Sequence, residues 1–341
     1  MNATNKFGIT SVVMIILLSV GLSNHVLILP LLLDACRRDA WLSVIAAGLL
    51  ASLFLLLPFF KVVRDLRGVR LDVWLKRRLS SFWASLIVWF FVLVQFVIAI
   101  ITLAETAEWT ASTYLPETPV IVVSVCLIVL CGFAAWSGLQ SIAYVSCILL
   151  PIVVLLGDFV MSANLPQKDY RFLLPMLENG YWPVWNGMLY VFSSFAEMFL
   201  LLLIQQHFST PVRRWHLVLV ILVLTWLTIG PTIGAITQFG PEEAEKLRYP
   251  AFSQWRLVHI GKYLEHVDFF AIFQWLSGAL IRISIPLYLI AEYGAFRTRR
   301  KKRSVYRSFA RCCWLPPLSD IATCLALLRS SAITSNTYGF L

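Results

Sequence analysis

Eight stretches of this chain are long enough to cross a hydrocarbon core of ~30 Å and carry almost no Asp, Glu, Lys or Arg. They run near Ile9–Leu33, Trp41–Phe60, Phe82–Ala104, Val120–Trp136, Leu139–Gly157, Val184–Ile204, Leu217–Phe239 and Val267–Ala291. In lipid every backbone polar group must find its partner inside the protein, so such stretches are read as transmembrane helices. The expected fold is an all-α polytopic helix bundle. Charged residues make up 13% of the chain, against about 25% in soluble domains. The first stretch is too long for a signal-peptide core and no clear small-residue cleavage site follows it, so it reads as an uncleaved span.

The net charge of +10 raises the question of a nucleic-acid partner. The positions of the cations answer against it. Lys61, Arg64, Arg67, Arg70, Lys76, Arg77 and Arg78 share one loop, Arg213 and Arg214 another, and eight more lie between Arg297 and Arg311. If the spans alternate, all three groups fall on the side of the N-terminus, which the positive-inside rule makes cytoplasmic. A loop on the opposite side holds Glu242, Glu243, Glu245, Glu265 and Asp268. Trp41, Trp83, Trp109, Trp182, Trp185 and Trp215 lie near span ends, as interface anchors do.

No metal, cofactor or enzyme motif is found. The seven cysteines form no C-x-x-C pair, and no H-E-x-x-H, G-x-S-x-G or P-loop occurs. After Arg311 come a Pro-Pro pair, an Asp and an apolar octet too short to span. The chain therefore divides into a transmembrane domain, 1–311, and an atypical tail, 312–341. A frameshift near codon 311 is the expected origin of that tail, and two apolar spans in another reading frame would bear it out.

Charges inside the spans point to function, because a charge at mid-bilayer costs roughly 2.5–3.5 kcal/mol even on lenient scales. Arg282 is the one such charge between Phe269 and Ala291, and Glu197 the one between Trp182 and Pro211. Glu197 lies 13 residues past Val184 and Arg282 15 past Val267, so both reach similar depths. They are expected to pair or to bracket a zwitterionic ligand. Ser193 and Ser194 precede Glu197 by one helical turn and are expected to share its cavity. The first span carries Gly21-Leu-Ser-Asn-His25 and then Pro30, a pattern that weakens a helix at mid-depth. It permits either a broken helix whose Gly21, Ser23 and Asn24 hold a ligand or a packed helix with small residues. Spans one and six run in opposite directions, as the opening helices of two inverted five-span repeats do. Glu105, closing the third span, is a candidate for a water or ion path.

These residues resemble the B-subunit family of spore germinant receptors, a branch of the amino acid–polyamine–organocation transporter superfamily. Gly21 with Pro30, Phe195-Ala-Glu197, the loop from Phe239-Gly-Pro-Glu to Tyr249-Pro250, and Leu264-Glu-His-Val-Asp268 carry the resemblance. It implies a ten-span LeuT-like inverted-repeat fold and a nutrient-sensing role in the inner membrane of a dormant spore. It also implies a larger membrane A subunit and a lipoprotein C subunit as partners, with an amino acid or similar nutrient bound near spans one and six. Ser194 and Ala196 stand where relatives tend to carry glycine. The alternative is a secondary transporter for amino acids or polyamines.

Overall fold

The computed structural model describes residues 6–66, 68–258 and 267–294. The tail 312–341, the basic run from Arg297 to Arg311 and residues 264–266 of the Asp268 motif lie outside them. Helices dominate the described residues, and seven helical runs are long and apolar enough to cross a membrane. They are Ile9–Leu66, Ser81–Thr113, Val120–Ser137, Leu139–Ala163, Tyr181–His207, Arg214–Phe239 and Phe269–Tyr293.

The first run holds two of the eight expected spans. Its 58 residues would measure about 87 Å as one rod, far more than a bilayer core. It breaks at Arg37, whose φ of 48° is left-handed, between helices Leu29–Cys36 and Ala40–Phe54. The arms on either side pack on each other and on the sixth span. Other spans end where glycine permits a positive φ: Gly138 (100°) parts the fourth from the fifth, and Gly240 (77°) closes the seventh.

The chain forms two compact units. Among the described residues, the first lies within 1–78 and 143–278, the second within 79–142 and 279–341. In the first unit, Phe7 exchanges backbone hydrogen bonds with His207 (3.1 Å) and Ser209 (3.0 Å), so the start of span one meets the end of span six. The turn at Arg37 lies at the other end. There Arg38 donates to the Leu174 carbonyl (2.7 Å) and pairs with Glu178 (3.2 Å), Arg37 pairs with Glu245 (2.6 Å), and buried Asp39 accepts the Leu177 N–H (2.9 Å). Spans one and seven therefore run one way and spans two and six the other, as the loop charges require.

Lipid tails are as apolar as leucine, so helices here associate by close packing rather than by escape from water. The second span shows the device. Ala40, Val44, Ala47 and Ala51 form a fully buried small-residue stripe, while Leu49 and Leu53 turn outward. Gly187 of the sixth span sits so close to Leu32, Cys36 and Ser43 that a Cβ there would overlap all three. A short helix, Pro250–Arg256, follows the seventh span and is held by amide side chains. Asn164 donates to the Gln254 carbonyl (2.8 Å), Gln254 to the Pro231 carbonyl (3.1 Å) and the Trp255 indole to Gln274 (3.2 Å).

In the second unit the third and fourth spans pack together. The third runs to Thr113, nine residues past its expected end at Ala104. Trp109, expected as an interface anchor, is consequently enclosed inside this longer helix's packing and wholly buried.

Candidate functional site

The first span is irregular where its sequence suggests. A regular helix runs from Ile9 to Leu22, a π-helical turn covers Ser23–Ile28, and a helix resumes over Leu29–Cys36. Pro30 has no N–H, so the carbonyl four residues before it loses its helical donor, and the wider turn absorbs the fault. The helix is thus bulged rather than unwound. The sixth span has the opposite fault. Its helix Tyr181–Ala196 tightens into a 3₁₀ turn at Glu197–Phe199 before resuming at Leu200–Ile204. Phe199 fixes this turn by packing edge-on against Phe54 and Phe59 of the second span.

The two irregular turns meet. Ser23 Oγ donates to Glu197 Oε1 at 3.3 Å. The next residue, Asn24, is wholly buried and donates from Nδ2 to Thr228 Oγ1 of the seventh span at 2.8 Å. Thr228 Oγ1 in turn donates a hydrogen bond to the Leu224 carbonyl (2.7 Å). Asn24 Oδ1 is buried with no hydrogen-bond partner. A buried acceptor left unpaired costs about 1–3 kcal/mol, and so is a natural place for an incoming donor. The half-buried Glu197 carboxylate and the Asn24 Oδ1 atom are both hydrogen-bond acceptors, and Glu197 is bonded to the residue next to Asn24.

The other expected site residues fall as follows. Gly21 is buried, yet a Cβ there would meet only Leu227 at an ordinary 3.5 Å, so packing does not demand glycine. Ser194 is buried and donates to the Val191 carbonyl (2.7 Å). Ser193 is exposed and donates to Tyr190 (2.6 Å), because adjacent helix positions face about 100° apart. The two serines therefore do not share one face. Arg282 belongs to the second unit, where it is buried and its Nε donates to Thr102 of the third span at 2.9 Å. Glu105 is half-buried one turn beyond Thr102 on the same helix. Glu197 belongs to the first unit, so its pairing with Arg282 rests on the sequence argument alone.

Two polar contributors were not anticipated. Thr228 is one; its signal lay in the run of hydroxyls Thr225, Thr228 and Thr232, about one turn apart in a span without charge. Asp158 is the other. The expected fifth span stopped at Gly157, whereas the helix continues to Ala163 and carries Asp158 into the wall of a cleft. That cleft lies within the first unit and is lined also by Gly21, His25, Pro231, Gln274 and Gly278.

The sequence of this helical assembly matches the family described as Spore germination protein over residues 8–307. The chain belongs to the spore germination protein family. It is 40% identical over 313 residues to spore germination protein XB of Bacillus anthracis, covering 91% of this chain and 87% of that protein. It is 22% identical over 281 residues to spore germination protein KB of Bacillus subtilis (strain 168), covering 81% and 74%. Membership makes this a germination-related, permease-like protein with several membrane-spanning helices. The match reaches through Ser23, Asn24, Thr228, Glu197 and Arg282, so the polar cluster lies within the family's domain.

Proposed function

We propose that this chain is the nutrient-sensing membrane subunit of a germinant receptor and that it binds an amino acid or a similar small nutrient beside the irregular turns of spans one and six. One observation carries the reading: Ser23 joins a π turn to the Glu197 carboxylate while the neighbouring Asn24 keeps a buried, unpartnered carbonyl oxygen. An ammonium group brings a positive charge and three donors, one of which the unpartnered Asn24 Oδ1 can accept and whose charge suits the Glu197 carboxylate. Arg282 and Glu105 are the second-unit candidates, Arg282 for a ligand carboxylate and Glu105 for a water or ion path.

Sensing requires the ligand to favour one conformation over another, since equal affinity for both shifts nothing. A π turn facing a 3₁₀ turn supports this, because both departures from α-geometry are where helices change register most readily. In this reading the protein sits in the inner membrane of the spore with its basic loops in the cytoplasm. It passes the change to a larger membrane subunit and a lipoprotein subunit.

The test is deletion of the gene in its spore-forming host, with release of spore-core solutes followed after single amino acids are added. Loss of the response to one nutrient, restored by the gene, supports the reading. An unchanged response to every nutrient contradicts it, and uptake by vesicles containing this chain alone would favour the transporter alternative.

A further inference from the structure

We infer that the groove between the end of the second span and the start of the seventh binds the headgroup of an anionic phospholipid. Leu57, Pro58, Phe60, Lys61, Arg64 and Arg214 line it, all within the first unit. This inference is independent of the nutrient site.

Three cations and no acid line the groove. Asp65, next in sequence to Arg64, stands 3.9 Å from Arg64 and 4.0 Å from Arg78, so it is divided between two arginines. Among the described residues, neither Lys61 nor Arg214 has an ion-pair partner. Arg214 is nevertheless held in place, its guanidinium 5.2 Å above the Phe60 ring. That stacking leaves the guanidinium N–H groups available to an acceptor of matching geometry, which a phosphate is. Arg214 is also the first residue of the 26-residue helix Arg214–Phe239, whose opening N–H groups and dipole favour negative charge.

The level of the groove selects lipid over soluble anions. Trp215, beside Arg214, is 56% exposed on an apolar span and marks the polar–apolar boundary, where amphipathic indoles reside. On the membrane side the wall is apolar and open, with Leu57 58% exposed. A phospholipid offers both parts at once, a phosphodiester at the level of the cations and acyl chains at the level of Leu57. Basic pockets between helices at this level recognise such headgroups.

The purified full-length protein, titrated with phosphatidylglycerol or phosphatidylcholine and read by native mass spectrometry, provides the test. The wild type should retain phosphatidylglycerol in preference. Each single variant, K61Q, R64Q and R214Q, should weaken that retention about fivefold, and the triple variant about a hundredfold. The control K76Q/R77Q removes two exposed cations of the same loop that do not line the groove, and should retain the lipid as the wild type does. Should the triple variant fail to fold, the single variants decide. Equal losses in the control and the groove variants would mean diffuse attraction and overturn the site. Undiminished retention in the R214Q and K61Q variants would also overturn it. Displacement of the lipid by inorganic phosphate would assign the groove to a free anion instead.

Discussion

Ser23 Oγ lies 3.3 Å from Glu197 Oε1, and this hydrogen bond joins the π turn of the first span to the 3₁₀ turn of the sixth. Neither turn is a regular helix. Each places a polar side chain in an apolar surrounding at the point where its backbone departs from α-geometry, and the two polar groups find each other across 174 residues of sequence.

The bond between Asn24 and Thr228 should stabilise the fold. Thr228→Val keeps the side-chain shape and removes the acceptor, leaving Asn24 Nδ2 buried without a partner. The expected cost is about 1–3 kcal/mol. Thermal unfolding in detergent should show a lowered midpoint, and Thr228→Ser should restore it. An unchanged midpoint in the valine variant would mean this bond carries no stability.

Gly187 should tolerate no side chain. A Cβ would overlap Cys36, Leu32 and Ser43, where the sixth span is pressed against the first two. Gly187→Val is expected to cost about 1–3 kcal/mol or more by overpacking, whereas Gly132→Ala, with open space around its Cα, should be close to neutral. Folded yield by size-exclusion chromatography compares the two.

Arg282 should act as a fork and not merely as a charge. Its Nε donates to Thr102, an atom that lysine does not possess. Arg282→Lys and Thr102→Val should therefore both destabilise the protein. Their double mutant should cost less than the sum of the singles, the mark of two residues in contact. Strict additivity would refute the coupling.

The loop after the fifth span should loosen in acid. The hydrogen bonds and charge of Arg171 hold the Asp169 carboxyl below its ordinary pKa. A depressed carboxyl contributes its stability above the unfolded value of about 3.9 and loses it as pH falls through the folded value. Protection of the Arg171 amide, which donates to Asp169 at 3.0 Å, measured relative to its intrinsic exchange rate at each pH, should fall below about pH 4. In an Asp169→Asn variant that acid-dependent step should vanish.

Much of this was legible from residues alone. Apolar runs located all eight spans, and the Gly21–Pro30 segment announced its own irregularity, because a missing N–H and small polar residues act locally. What stayed hidden was lateral. The i, i+1 placement of Ser193 and Ser194 turned one of them away, and which neighbour Asn24 would meet depended on how the seventh span packs. The hairpin at Arg37 has no glycine or proline to betray it; the charged run Asp34, Arg37, Arg38 and Asp39 and the length limit of a bilayer crossing show that a turn must occur. Asp158 was missed because charge was taken to end the span, whereas the helix continues five residues beyond it to Ala163.

The central claim is that Glu197 and Asn24 receive the ammonium group of a nutrient, and affinity measured directly on the purified protein tests it best. Binding of single amino acids by isothermal titration would be compared between the wild type and Glu197→Gln, which keeps an oxygen for Ser23 and loses only the charge. The account predicts saturable binding of at least one amino acid and a fall of tenfold or more in the glutamine variant, the loss of about 1.4 kcal/mol or more. Equal affinity in the two folded proteins would contradict it.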